Sequence, residues 1–392
     1  MDHVLVAGAG PVGMVAAACL ADAGVPVTII EQSADLPDDL RASTFHPPTL
    51  DMLERFGVVP AMIEQGLVCP QWQVRDRERG VIATYDLGLL RDDTNHPYRL
   101  QCEQWRLTRM LRDRLAANPD VTFRYGAKVT GVAQDADGVD VALEDGETVH
   151  GTWLIGSDGA RSTVRRALGI SFEGLTIPEV YLTLSTTFRF HEAISDLANI
   201  AYISDPAEWF VLLRTAGLWR LLLPTDASES EEAMLAPARI EQRMQGVLPT
   251  GTPYEVRHRT AYRVHERVAE RYVVGRVMLA GDAAHVNNPL GGMGMNGGVH
   301  DAFNLADKLI AVLRGADVAL LGRYERQRRK VAIEVVQQQA LRNRANLNNR
   351  DPAKREAAFA EMRATVEDRE KHRAFLLRGS LIQSLRDLEA VA

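Results

Sequence analysis

Apolar residues near the start of the chain fall into two short continuous runs, Val4-Leu-Val-Ala and Val27 to Ile30. Between them lie a glycine-rich turn from Gly8 to Gly13 and a small-residue stretch from about Met14 to Ala23. Short apolar runs bounded by turn residues read as buried strands, and the stretch between them reads as a helix, so residues 4–31 predict a βαβ unit. Further apolar runs at Val121 to Phe123, Thr152 to Ile155 and Val277 to Ala280 are expected to return to the same sheet as parallel strands, the last two ending in Gly/Asp turns. Between Ile177 and Pro224 the texture changes. Val180 to Phe190, Trp209 to Leu213 and Leu218 to Leu223 are longer β-type segments separated by turn residues, which predicts an inserted antiparallel sheet. From Val299 the pattern is helical, with Phe303, Leu305, Ala306, Leu309, Ile310 and Leu313 in a stripe at three- and four-residue spacing. From about Gln337 the chain is charged and helix-prone.

These elements describe an α/β protein: a Rossmann-like dinucleotide-binding domain, an inserted antiparallel-sheet substrate domain and C-terminal helices. The expected boundaries are 1–70, 100–177 and 271–335 for the discontinuous first domain, 71–99 and 178–270 for the insert, and 336–392 for the helical end. No repeat or proline-rich linker interrupts the chain, so a rigid body is expected.

Composition narrows the function classes. A formal net charge of -7 with dispersed basic residues leaves no electrostatic footprint for nucleic acid. Cys19, Cys69 and Cys102 are isolated, without CxxC or Cys/His spacing, so buried reduced thiols are expected rather than disulfides or a metal site. No run of about 18 apolar residues occurs, so no membrane-spanning helix is expected. The first strand enters its glycine turn with no basic leader before it, and a cytoplasmic protein is expected.

Three glycine motifs carry the candidate chemistry. Gly8-Ala9-Gly10-Pro11-Val12-Gly13 sits between a predicted strand and helix, and Glu31 ends the next strand 18 residues after Gly13. Here Gly8 makes the turn, Gly10 lets a pyrophosphate approach the helix N-terminus, Gly13 permits close helix-sheet packing, and Glu31 accepts from a ribose hydroxyl. This context shows a dinucleotide without saying which one. The second motif is Ile155-Gly-Ser-Asp158-Gly159-Ala-Arg161-Ser162-Thr-Val164-Arg165, which alone is also compatible with an ordinary turn and capping aspartate. The third is Val277-Met-Leu-Ala-Gly281-Asp282-Ala-Ala-His285, followed by Pro289-Leu-Gly-Gly292-Met-Gly294-Met295-Asn296. Its aspartate is placed to meet a polyol, and its glycines put backbone N–H groups at a helix N-terminus, where negative charge is stabilised.

In this order the three motifs resemble the single-component FAD-dependent aromatic hydroxylases of the para-hydroxybenzoate hydroxylase type, a resemblance covering most of residues 1–330. It implies a Rossmann-like FAD-binding domain whose first motif holds the ADP part of FAD. It implies that Asp282 meets the ribityl chain, that the N–H groups of Met295 and Asn296 face the flavin carbonyl, and that Asp158 lies near the nicotinamide-docking surface. Two further stretches resemble the family: Arg41-Ala42, whose arginine would cross the FAD phosphates, and the helix opened by Gln104, whose amide would touch the ribityl chain. The FAD contacts it implies are Gly8, Ala9, Gly10, Pro11, Val12, Gly13, Glu31, Gln32, Arg41, Gln104, Val129, Asp158, Asp282, Pro289, Gly292, Gly294, Met295 and Asn296. With a single fingerprint occupied by FAD, NADH or NADPH would be a transient hydride donor. The resemblance also implies that dioxygen reacts at the reduced flavin to give a C4a-hydroperoxide, which hydroxylates an aromatic or heteroaromatic substrate.

On the substrate side, Tyr202, Phe210 and Arg220 of the inserted sheet are candidate pocket residues, with plain core packing the alternative for the two aromatics. Arg220 lies in the otherwise apolar Leu218-Trp-Arg-Leu-Leu-Leu-Pro224, where an arginine wants an anion or a flavin oxygen. His46 is a candidate base for a phenol, or a hydrogen-bonded loop histidine, while His285 and His300 are expected to be structural. The segment Phe375-Leu-Leu-Arg-Gly-Ser-Leu-Ile either completes the pocket wall or makes a homodimer contact, and no thioredoxin-like C-terminal domain is expected. Rival readings are a flavin reductase or dehydrogenase, and a nucleotide-binding regulator without turnover. A halogenase is disfavoured, because Trp219-Arg-Leu-Leu-Leu-Pro224 lacks the second tryptophan and the isoleucine of the halogenase WxWxIP segment.

Overall fold

The computed structural model describes residues 2–38, 40 and 42–391. A six-stranded sheet runs in the order Val273–Val274, Val277–Leu279, Trp153–Gly156, Val4–Ala7, Val27–Ile30, Val121–Arg124. The last five strands are parallel, and Val273–Val274 closes one edge as an antiparallel hairpin. The apolar runs read from the sequence are therefore parallel strands of one sheet. Val4–Ala7 and Trp153–Gly156 are buried along their whole length because both faces are covered. The helices Pro11–Asp22, Gln104–Ala116 and Met293–Leu313, together with a three-stranded meander over residues 129–151, share their core. The first helix begins at Pro11 rather than Met14, since proline loses nothing at a first helical position whose N–H has no partner.

The second sheet has eight strands, in the order His285–Val286, Val256–Ala269, Phe172–Thr186, Trp219–Thr225, Phe210–Arg214, Ile200–Ser204, Gln71–Asp76, Gly80–Asp86. It is antiparallel except where Ile200–Ser204 runs parallel to Gln71–Asp76. The strand expected over Val180 to Phe190 instead starts at Phe172 and leaves the sheet after Thr186, whose hydroxyl accepts from the Phe188 amide. Val256–Ala269 carries little strand signal because its charged residues largely face solvent.

Register decides which side chains face the first domain. Trp219, Leu221 and Leu223 pack outward with Ile240, Met244 and Val247 of the helix Pro237–Val247, whereas Leu222 packs inward with Tyr181, Tyr202 and Val211. Arg220 shares the Leu222 face, between Leu213 and Ser185 of the neighbouring strands. The chain ends in helices Gln338–Leu347, Pro352–Glu367, Arg369–Gly379 and Ile382–Asp387, with Asp351 and Asp368 capping the second and third. They lie on the inner face of the second sheet: Leu347, Leu376, Leu377 and Ile382 join Trp72, Tyr85, Tyr202 and Leu290 in one buried cluster. Arg373 and Arg386 both reach buried Asp93, at 2.7 Å each, and Arg355 reaches Asp76. The tail therefore packs within the chain, against the inner face of the second sheet.

Candidate active site

The first glycine turn is shaped by close approach. Gly8 has φ +102°, and a Cβ there would lie 2.5 Å from the Ser157 carbonyl oxygen. A Cβ at Gly13 would lie 2.0 Å from the Gly8 oxygen, so the helix seats directly on the turn. At Gly10 a Cβ would meet nothing, and no side chain caps the helix that Gly10 begins. The turn thus opens onto free space with uncapped N–H groups, a seat for a pyrophosphate. Half-buried Glu31 braces it, accepting from Ala9 N and Ser33 N at 2.9 Å each, and keeps further lone pairs on both oxygens. Pro11 and Val12 are half-buried beside the opening, Gln32 is exposed just past Glu31, and Val129 is half-buried at the start of its strand. Arg41 lies outside the described residues.

The second motif is tied to the third. Asp158 Oδ2 accepts from Thr163 N at 2.7 Å and Val164 N at 3.1 Å, the capping role, while its buried Oδ1 has no partner. Arg165, stacked over Phe172 at 3.7 Å, donates to the Ala283 carbonyl at 2.8 Å. Asp282 stands exposed in the turn Gly281–Ala283. Beneath it Asp301 holds the turn: Oδ2 accepts from Gly281 N at 3.0 Å and contacts His285 Nε2 at 2.7 Å, and Oδ1 accepts from Arg328 Nε at 2.6 Å. Burial alone would raise the Asp301 carboxyl, but His285 and Arg328 outweigh it and hold the pKa at about 2. His300 bonds Thr49 Oγ1 at 2.9 Å, with its pKa lowered to about 3 by burial and by Arg328. Both histidines are structural, as expected.

The glycine loop is fastened from four sides. Gly291 and Gly292 take φ +109° and +68°, which asks for glycine. Asn296 donates to Thr44 O and Gly292 O and accepts from His46 N, so its side chain is a brace. His46 Nε2 meets Gly291 O at 2.9 Å, Asn343 donates to Leu290 O, and Glu266 accepts from Asn288. Burial raises the Glu266 pKa to about 7. No side chain caps the helix beginning at Met293, so its first-turn amides, Met295 among them, face out beside half-buried Pro289 and Gly294. Gln104 is half-buried, its backbone N–H donating to Ala42 O where its helix meets the same region.

On the substrate side the structure separates the candidates. Tyr202 pairs with Val211 and faces inward, but Phe210 pairs with Ile203 and packs in the outer cluster. The expectation of Phe210 in the pocket is corrected by this register, which sends alternate residues to opposite faces. Arg220 faces inward and is only 3 % exposed. His46 is fully buried, its Nε2 committed to the loop and its pKa well below the ordinary value through burial and then Arg99. That geometry makes it a loop brace and leaves its Nδ1 buried without a partner.

Sequence reasoning missed the inner wall. Trp72 stacks on Tyr85 at 4.1 Å, Tyr85 on Phe375 at 4.6 Å, and Tyr202 meets Trp72 edge-on at 5.6 Å. Arg99 lies over Trp72 at 5.1 Å. It sits in the three-residue strand Arg99–Gln101, too short to show a period. An arginine beside apolar residues, the signal used for Arg220, was the one clue available.

A glycine-turned βαβ fold and a second glycine loop, with a buried aromatic cluster alongside, are the features of a dinucleotide-dependent oxidoreductase. Uncapped helix N-termini, the open side of Gly10 and the unpartnered Asp158 oxygen fit FAD. The family model described as an FAD binding domain matches residues 1–339. The chain is 36% identical over 385 residues to para-nitrophenol 4-monooxygenase of a Pseudomonas species, covering 96% of this chain and 95% of that protein. It is also 36% identical over 356 residues to 6-hydroxy-3-succinoylpyridine 3-monooxygenase of Pseudomonas putida, covering 90% of each. A crystal structure of p-nitrophenol 4-monooxygenase from Pseudomonas putida superposes with TM-score 0.92 at 34% identity, covering 98% of this chain and 99% of that one. The chain belongs to the family of FAD-dependent aromatic monooxygenases. It is an enzyme, and FAD is its cofactor. Among the described residues no helix is long and apolar enough to cross a membrane, and no cluster of metal-ligating side chains occurs.

Proposed function

We propose that this enzyme hydroxylates a single-ring phenol or hydroxypyridine, with NADH or NADPH as a transient hydride donor and dioxygen as the oxidant. The observation that carries this reading is the buried aromatic cluster of Trp72, Tyr85, Tyr202 and Phe375 on the inner sheet face, which packs with the C-terminal helices and with Leu290 of the glycine loop. Its aromatic faces suit one ring, and the most similar proteins described above are named for one-ring hydroxylated substrates. Bound FAD supplies the electron relay from the hydride donor and the activation of dioxygen.

The protein's own groups bind, orient and exclude water. Asp282 receives the ribityl hydroxyls, Glu31 a ribose hydroxyl, and the amides at Met295 and Asn296 the flavin carbonyl that gains charge on reduction. Gln32, Gln104, Val129 and Asp158 complete the FAD contacts. Arg220 supplies positive charge from the inner sheet face. His46 positions the loop and does not take the substrate proton. The division of labour follows the expected boundaries, with 1–70, 100–177 and 271–335 holding FAD, 71–99 and 178–270 roofing the substrate, and 336–392 closing the wall. The tail is used within the chain, so a homodimer would be built from another face. A cytoplasmic location, where the hydride donor is plentiful, fits this chemistry.

The test is a panel of phenols and hydroxypyridines scored for NADH or NADPH oxidation matched by dioxygen uptake and hydroxylated product. Oxidation that no member stimulates, or substrate oxidised without oxygen consumption, would leave a reductase or dehydrogenase as the better reading.

A further inference from the structure

Arg99 is 4 % exposed, yet its Nε and Nη1 have no hydrogen-bond partner. The short sheet around it explains the placement. Arg99 pairs directly with Cys69 on one side, and on the other the pairing of Leu100 with Phe45 brings His46 next to it. Two of its neighbours are neutral, since burial pushes the Cys69 thiol up to about 12 and keeps His46 uncharged, and the Tyr202 hydroxyl hydrogen-bonds the guanidinium at a remaining position. Among the described residues no carboxylate pairs with this guanidinium. Leaving a buried charge uncompensated is costly, and a guanidinium with unpartnered N–H groups is a fork for an oxyanion. The unpartnered groups are themselves buried, beside Trp72 and Tyr202 and near His46, which touches the glycine loop.

We propose that Arg99 is the anion anchor of the substrate site, taking the ionised oxygen of a single-ring aromatic acid whose ring rests against Trp72 and Tyr202. The inference rests on the reading of the aromatic cluster as the substrate site and adds to it a charge preference: phenolates and ring carboxylates over neutral rings of the same shape.

The test uses the oxidised FAD-loaded enzyme, with binding followed through the flavin absorbance. The probes are 4-nitrophenol at a pH where it is ionised, 4-nitrobenzoate, and neutral 4-nitroanisole. The wild type should bind at least one anion more tightly than the ether, and the two anions show whether a phenolate or a carboxylate is preferred. Arg99→Met should weaken the anion by roughly 10- to 100-fold while leaving the ether unchanged, because a charge-assisted pair is lost and the apolar wall is kept. Arg99→Lys, which keeps the charge without the fork, should fall between. Equal losses for anion and ether, no loss at all, or an altered flavin spectrum and FAD affinity without any probe would overturn the anchor. A wild type that binds the ether as well as the anions would do the same. A wild type that responds to none of the probes and turns over no phenol would instead sink the underlying single-ring reading, and the anchor with it.

Discussion

Asp301→Asn isolates the buried network beneath the Asp282 turn. The substitution keeps the shape of the side chain but leaves Arg328, which is 1 % exposed, without its anion. Removing one partner of a buried pair costs about 3–5 kcal/mol, since the remaining charge stays desolvated. With a folded pKa near 2 against 3.8 when unperturbed, the ionised carboxylate contributes about 2 kcal/mol of stability, fully present above about pH 4 and lost as pH falls through 2. The larger figure exceeds it because it includes the stranded arginine. At roughly 2 cal/mol/K of unfolding entropy per residue, 3–5 kcal/mol in a chain of 392 residues lowers the melting temperature by about 4–6 °C. FAD affinity should fall as well, because Gly281 N loses a charged acceptor and the turn loosens. The assay is thermal melting with and without FAD for Asp301→Asn, Arg328→Met and the double variant. The double should recover much of the loss, since removing both charges strands neither. A single-variant cost below about 1 kcal/mol, or strictly additive singles, would refute the coupling.

Asp282→Ala should fold normally but bind FAD roughly 10- to 100-fold more weakly, the loss of one or two charge-assisted hydrogen bonds, as read by flavin release on titration; unchanged affinity would remove Asp282 from the site. Glu266→Gln should track pH with a fixed sign. The raised pKa of about 7 means that the wild type is stabilised below about 4.5 and loses that stabilisation as pH rises to 7, so the variant should gain about 3 kcal/mol relative to wild type between pH 4.5 and 8. Denaturant melts at the two pH values check it, and a pH-independent difference contradicts it. Arg220→Met should raise the substrate KM or release hydrogen peroxide, while FAD affinity stays near that of the wild type; unchanged kinetics, coupling and flavin spectrum would show that Arg220 plays no part in the site.

The cofactor half was legible because each of its requirements leaves a local mark. Gly8 and Gly13 stand where a Cβ would collide, and the runs at Val4, Val27, Thr152 and Val277 are apolar because both sheet faces are covered. The substrate half depends on contacts between distant segments, which a single sequence does not mark. Phe210 was misplaced because a period of two does not say which face is inner until the pairing of Ile203 with Phe210 is known. Gln73 and Arg75 look like surface residues, yet they are buried against the carbonyls of Ser195 and Asp196. Arg99 gained its meaning only when Cys69, His46 and Trp72 closed around it, and Phe375 only when the final helices folded onto Tyr85.

The most direct measurement is isotopic. The FAD-loaded enzyme, supplied with NADH or NADPH, a turned-over phenol and isotopically labelled dioxygen, should give an aromatic product carrying one labelled oxygen atom, with one hydride donor consumed per product and the second labelled atom in water. A product whose new oxygen comes from unlabelled water, or an oxidised product with no new oxygen, would contradict monooxygenation at this site.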